Sequence, residues 1–148
     1  MRAKYQVLII PFRREKDIIK YGIFKRNDMK IYQAISGGGE EGETIWESAE
    51  RELLEETGLV KENFIKLDSS CTIPACYFSD FKLWGSKTYV VTEYAFGLEL
   101  SKNDKIVLSH EHTSFKFVEY EDARKKLKYD SNKTALYELN ERIKNNDL

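Results

Sequence analysis

Glu52, Glu55 and Glu56 stand at i, i+3 and i+4 in the stretch ERELLEETGL, residues 50–59. On a helix that spacing puts all three carboxylates on one face. Like charges so placed repel by a few tenths of a kcal/mol per exposed pair, and partial burial raises the cost. A hard divalent cation offsets it, because Mg²⁺ and Mn²⁺ prefer oxygen ligands. The plainer alternative is a solvated acidic face. Two neighbours favour a site. Arg51 lies one turn before Glu55 and can orient it. Gly37-Gly38-Gly39 come shortly before the helix, where the sequence predicts a sharp backbone turn with accessible peptide groups. Residues 37–59 together hold eight glutamates.

Something must hold those carboxylates in place. Residues 44–56 read as a helix that Gly58 stops. Trp46, Ala49 and Leu53 (i, i+3, i+7) form an adjoining face that can pack on a sheet. Strands are predicted over 5–13, 18–26, 32–36, 64–73, 87–100 and 114–120, with a charged turn at 14–17. Helices are predicted over 121–128 and 131–145, the last with Leu136, Leu139 and Ile143 facing the core. Strands interspersed with helices imply an α/β sandwich.

The chain has 148 residues, 41% of them hydrophobic, which suits one compact domain over 1–148. Its net charge of −1 gives no general reason to expect a nucleic acid polymer as partner. Phosphate chemistry would have to arise at a local site. Cys71 and Cys76, spaced CTIPAC, make neither a disulfide framework nor a zinc-type CxxC, and read as reduced thiols. The apolar run from Val7 to Phe12 is too short for a membrane span, so a cytoplasmic protein with no membrane partner is expected. No serine or cysteine nucleophile sits in a convincing triad.

Residues 37–59 resemble the Nudix box, G-x5-E-x7-R-E-U-x-E-E-x-G-U, where U is a bulky aliphatic residue. Gly37, Glu43, Arg51, Glu52, Leu53, Glu55, Glu56, Gly58 and Leu59 fill every defined position at the right spacing. The resemblance implies the Nudix α/β/α sandwich with a central mixed sheet and a loop–helix–loop catalytic motif. It implies a pyrophosphohydrolase dependent on Mg²⁺, or on Mn²⁺. By position in the box, Glu52, Glu55 and Glu56 would ligate metal, and one of them would help to activate water. Ser36 would add its backbone carbonyl as a ligand. Glu43 would pair with Arg51 to brace the loop on the helix, a structural role shared with Gly37 and Gly58.

The family often adds an acid from outside the box. Glu111, in Leu108-Ser109-His110-Glu111-His112, is the choice here, with Glu93 or Glu99 as alternatives. His110 and His112 would point away from Glu111 if that stretch is extended. For the substrate, Lys25 and Arg26 end a strand and can meet phosphate oxygens. Tyr32 precedes the loop, and Trp84 lies in an aromatic cluster with Tyr77, Phe78 and Phe81 that can stack a flat ring.

Residues 109–123 resemble a segment of two branches, one cleaving dinucleoside polyphosphates and one removing pyrophosphate from dihydroneopterin triphosphate. The residues from Gln33 to Gly37 and from Tyr129 to Lys133 are more similar to the second. The expected substrate is thus a small nucleotide-like pyrophosphate, a nucleoside diphosphate linked to another moiety. Dihydroneopterin triphosphate or a nucleoside triphosphate leads, and a dinucleoside polyphosphate follows. A non-catalytic nucleotide sensor on the same fold is the alternative from another class. A homodimer is a further expectation.

Overall fold

The computed structural model describes every residue from Met1 to Leu148. The long first strand, β1 (Arg2–Glu15), organises the rest. Val7 and Ile9 point to one side, packing with Phe24, Ile35, Ala49, Leu53 and Phe96. Leu8, Ile10 and Phe12 point to the other, packing with Tyr21, Leu136 and Leu139. The period of two sends alternate residues to opposite faces, and an uninterrupted apolar run is the pattern of a strand covered on both.

Six more strands complete one mixed sheet: β2 (Ile18–Arg26), β3 (Tyr32–Gln33), β4 (Ile35–Glu40), β5 (Ile65–Pro74), β6 (Val90–Glu99) and β7 (His112–Val118). β6 runs parallel to β1, matching Gln6 with Glu93 and Leu8 with Ala95. The other pairings are antiparallel. Helix α1 (Ile45–Thr57) covers one face. Helices α2 (Tyr120–Lys126) and α3 (Asp130–Lys144) cover the other. This is the expected α/β sandwich.

Three of the predicted elements differ from the structure. β1 runs on to Glu15, so the charged turn shrinks to Lys16-Asp17, with Lys16 at φ 59°. A two-residue hairpin loop requires such a left-handed position. The predicted strand over 87–100 starts only at Val90. The predicted strand over 32–36 is two strands, and the second continues through the glycines. Gly37 and Gly38 pair with Val7 and Gln6 of β1 rather than forming a turn. The chain reverses later, at Gly42, whose φ of 87° lies in the left-handed region.

The glycines are needed because other side chains occupy the space of their missing Cβ atoms. A Cβ on Gly37 would overlap the Glu52 carboxylate, one on Gly38 the Arg2 guanidinium, and one on Gly39 the Tyr5 ring.

Glu138 ties α3 to β5. It accepts hydrogen bonds from the Asp68 and Ser69 amides at 2.7 Å each and from Arg142 Nε at 2.8 Å. Partial burial raises its carboxyl, but the bonds from Ser69, Asp68 and Arg142 outweigh this and hold it at about 2 against an ordinary 4.5. A lowered carboxyl stabilises the fold above the unfolded value and loses that contribution as pH falls. We expect Glu138→Gln to cost about 1–3 kcal/mol at pH 7. Urea melts at stepped pH should show this deficit shrinking between about pH 4.5 and pH 2. A deficit independent of pH would exclude the charge as its source.

Candidate active site

Helix α1 begins at a capping box. Thr44 Oγ1 accepts from the Glu47 amide at 3.1 Å, and the Thr44 amide donates to Glu47 Oε1 at 2.8 Å. It ends at Gly58, φ 76°, whose amide donates to the Leu54 carbonyl. Both ends are thus fixed by local bonds. Ala49 and Leu53 are fully buried against the sheet. Trp46 packs edge-on to Phe96 at 5.0 Å, yet stays 42% exposed. With that face pinned, Glu52, Glu55 and Glu56 line a pocket of about 660 Å³ together with Ser36, Gly37 and Glu111.

Arg51 braces this wall. Its Nε and Nη2 grip Glu43 at 2.7 and 3.0 Å, Nη2 also reaches the Gly38 carbonyl at 2.7 Å, and Nη1 reaches Glu52 at 2.9 Å and Glu55 at 3.3 Å. One planar guanidinium therefore joins the end of β4, the following loop and α1. The bond from Arg51 is the main reason that the Glu43 carboxyl falls to about 2.

Glu52 and Glu56 are both buried, and their surroundings push them apart. Burial raises Glu52 to about 7, with Glu55 and Glu56 adding to this and Arg51 opposing it. For Glu56, burial also acts upward but is outweighed by His112 and Ser109, leaving the carboxyl below its ordinary range. Ser109 Oγ donates to Glu56 Oε2 at 2.8 Å. His112 Nδ1 lies 3.2 Å from the same oxygen, turned off the line of a well-aligned hydrogen bond. Burial, followed by the charge of Glu56, pushes Glu111 upward.

The donor set suits a hard divalent cation. It consists of carboxylate oxygens, and burial together with the like charges of Glu55 and Glu56 disfavours the ionised form of Glu52, a cost that a bound cation would offset. In this structure no three His, Cys, Asp or Glu side chains converge closely enough to hold one ion. Arg51 instead takes up one oxygen of Glu52 and lies within 3.4 Å of both oxygens of Glu55.

The outlying predicted residues divide. Arg26 lines the pocket, held by Asp28 at 2.6 and 2.8 Å. Lys25 does not, being paired in the sheet with Tyr32 and Ser114. Tyr32 also lies outside, packed on the core beneath Lys116, whose Nζ sits 5.0 Å from the ring centre. Trp84 is buried with Ala75 and Val91, and its indole N–H donates to the Arg2 carbonyl at 2.9 Å. The aromatic segment does reach the pocket, but through Tyr77 and Phe78. Arg2, Ser109 and His112 were not among the expected site residues. Glu99 pairs with Arg14 instead of joining the pocket.

The sequence model of the NUDIX domain matches residues 5–139. The chain belongs to the NUDIX family. With every box carboxylate present, this NUDIX protein is a pyrophosphohydrolase. It resembles a candidate NUDIX hydrolase from Listeria monocytogenes with 43% identity over 98% of this chain and 97% of that one, TM-score 0.87. The fold is shared with a C. elegans Ap4A hydrolase at 21% identity, covering 97% and 99%, TM-score 0.74. It is shared too with the E. coli dihydroneopterin triphosphate pyrophosphohydrolase at 23%, covering 94% and 97%, TM-score 0.72. No curated protein matches the chain in sequence. No helix of this NUDIX protein is long and apolar enough to cross a membrane.

Gly37→Ala tests the contact between strand and helix. The added methyl must displace the Glu52 carboxylate, while backbone conformation is unstrained. We expect turnover to fall by roughly 10- to 100-fold with little change in melting temperature. Unaltered turnover would mean that Glu52 can move without consequence.

Proposed function

We propose that residues 1–148 act as one Mg²⁺-dependent unit, with Mn²⁺ able to substitute, that hydrolyses the pyrophosphate linkage of a small nucleotide-like substrate. The observation that carries this reading is the pocket itself. Glu52, Glu55, Glu56 and Glu111 line it together with Arg2 and Arg26. Acidic and basic groups in one cavity match a substrate that brings phosphate charge and a cation together.

Glu52, Glu55 and Glu56 would hold the metal, with the Ser36 carbonyl and Glu111 completing the set. When bound there, Mg²⁺ neutralises phosphate oxygens and acidifies the attacking water. The chain's own residues do the rest. Arg2 and Arg26 take phosphate oxygens and fix the direction of the chain. The Ser109 hydroxyl holds Glu56 through Oε2, with His112 Nδ1 3.2 Å from the same oxygen. One of the carboxylates takes the water's proton. Arg51, spent on Glu43 and the Gly38 carbonyl, positions the wall without touching substrate.

Dihydroneopterin triphosphate or a nucleoside triphosphate leads as substrate, supported by the segments before and after the box. A screen of pyrophosphates with Mg²⁺, read by product mass, tests this. A dinucleoside polyphosphate cleaved in preference would move the substrate class. If every compound survives while one still raises the melting temperature, the protein is a sensor and not a hydrolase.

A further inference from the structure

A second cavity of about 460 Å³ opens from the first, and Gln6, Arg26, Gln33, Ser36, Tyr77 and Phe78 border both. It adds Tyr129, Ser131, Asn132 and Glu93 to the lining. Its volume is that of a small-molecule subsite. Tyr77 and Tyr129 are 76% and 38% exposed at its border. Aromatic faces on a cavity of this size suit a flat ring.

Glu93 gives the cavity its chemistry. It is 5% exposed, so its charge has been withdrawn from water. Gln6 Nε2 donates to Glu93 Oε2 at 2.7 Å, and Cys71 Sγ donates to Oε1 at 3.5 Å. Gln6 is held in turn by Arg2 Nη2 at 3.3 Å. The parallel register sets Gln6 directly beside Glu93, so this alignment is built into the sheet. Burial pushes the Cys71 thiol up to about 11, keeping it a donor. A carboxylate accepts about four hydrogen bonds. With one bond on each oxygen, Glu93 has a further lone pair on each.

We propose that this cavity selects a ring bearing adjacent ring N–H and exocyclic amino groups, the 2-amino-4-oxo-pyrimidine edge shared by guanine and pterins, and that Glu93 is the specificity-determining residue. Two parallel N–H donors match two free carboxylate lone pairs. The amides of Gln33 and Asn132, also in the lining, suit the ring carbonyl. Adenine sets a ring acceptor beside its amino group and would face the carboxylate with a lone pair, so it is rejected as well as less well held. Hypoxanthine lacks the amino group and leaves one carboxylate oxygen unmatched. The inference rests on the reading of the larger pocket as the phosphate site only for which end of the substrate enters here.

Calorimetry with GMP, IMP, AMP and neopterin monophosphate measures ring preference without turnover. We expect GMP to bind roughly 10- to 100-fold tighter than IMP, and AMP no better than IMP. Glu93→Gln, which exchanges one acceptor for a donor, should bring the GMP-to-IMP ratio close to one. The wild-type series decides the point even if that variant fails to fold. Equal binding of GMP and IMP, or tighter binding of AMP, overturns the inference. The stronger of GMP and neopterin monophosphate identifies the source of the edge. Parallel assays of the corresponding triphosphates with Mg²⁺ separate the two readings. Turnover without ring preference overturns the inference and keeps the hydrolase; ring preference without turnover does the reverse.

Discussion

Replacing Glu56 by glutamine is expected to lower turnover on the order of 10³-fold or more while the fold stays intact. On the proposed role of Glu56 as a metal ligand, the size follows from weakening a group that would supply several kcal/mol of transition-state charge stabilisation, at about 1.4 kcal/mol per tenfold in rate. The fold should survive because glutamine keeps an oxygen for the Ser109 hydroxyl at 2.8 Å and for His112 beside it. Removing the charge also relieves Glu111, which the Glu56 carboxylate pushes upward after burial. Steady-state rates paired with melting temperatures check this. Activity within tenfold of wild type would take Glu56 out of the metal set. A matching loss of folded protein, with normal activity in the remainder, would make its role structural.

The largest effect on stability is expected at Arg51. Arg51→Ala leaves Glu43 and Glu52 facing each other's neighbourhood with no cation between them, and frees the Gly38 carbonyl. The guanidinium is 25% exposed, so the cost is set somewhat below that of a fully buried pair, at about 3 kcal/mol, or roughly 10 °C in melting temperature. Much of that is the penalty of stranded carboxylates, not the net worth of the ion pair. Arg51→Ala combined with Glu43→Gln should therefore be more stable than Arg51→Ala alone. Additive losses in that cycle would show that the two groups do not interact.

How much of this was legible in the sequence depended on how local the cause was. The caps of α1 could be read because Thr44, Glu47 and Gly58 act on their own helix. The core stripe of α3 could be read for the same reason, since Leu136, Leu139 and Ile143 repeat with the helix period. The triple glycine reads as a turn in the sequence but lies within β4. Its cause lies with Arg2, Tyr5 and Glu52, which approach from other elements and leave no mark nearby in the chain.

The site's outer parts followed the same rule. The cluster around residues 77–84 does border the pocket, but only packing decides that Trp84 goes inward and Tyr77 outward. Tyr32 stood close to the box in sequence and still turned to the core. The sequence flagged Ser109-His110-Glu111-His112 through its density of polar groups. It could not say that Ser109 and His112 converge on Glu56 from a segment more than 50 residues further along. The pairing of Gln6 with Glu93 needed the parallel register of β1 and β6, a choice made by the whole sheet.

The most direct test is to locate the cation. Crystals grown with a non-hydrolysable pyrophosphate analogue and soaked in Mn²⁺ should give an anomalous difference peak bounded by Glu52, Glu55 and Glu56, next to the analogue's phosphates. A map with no peak there, or with Mn²⁺ bound only elsewhere while the analogue occupies the pocket, would contradict the account.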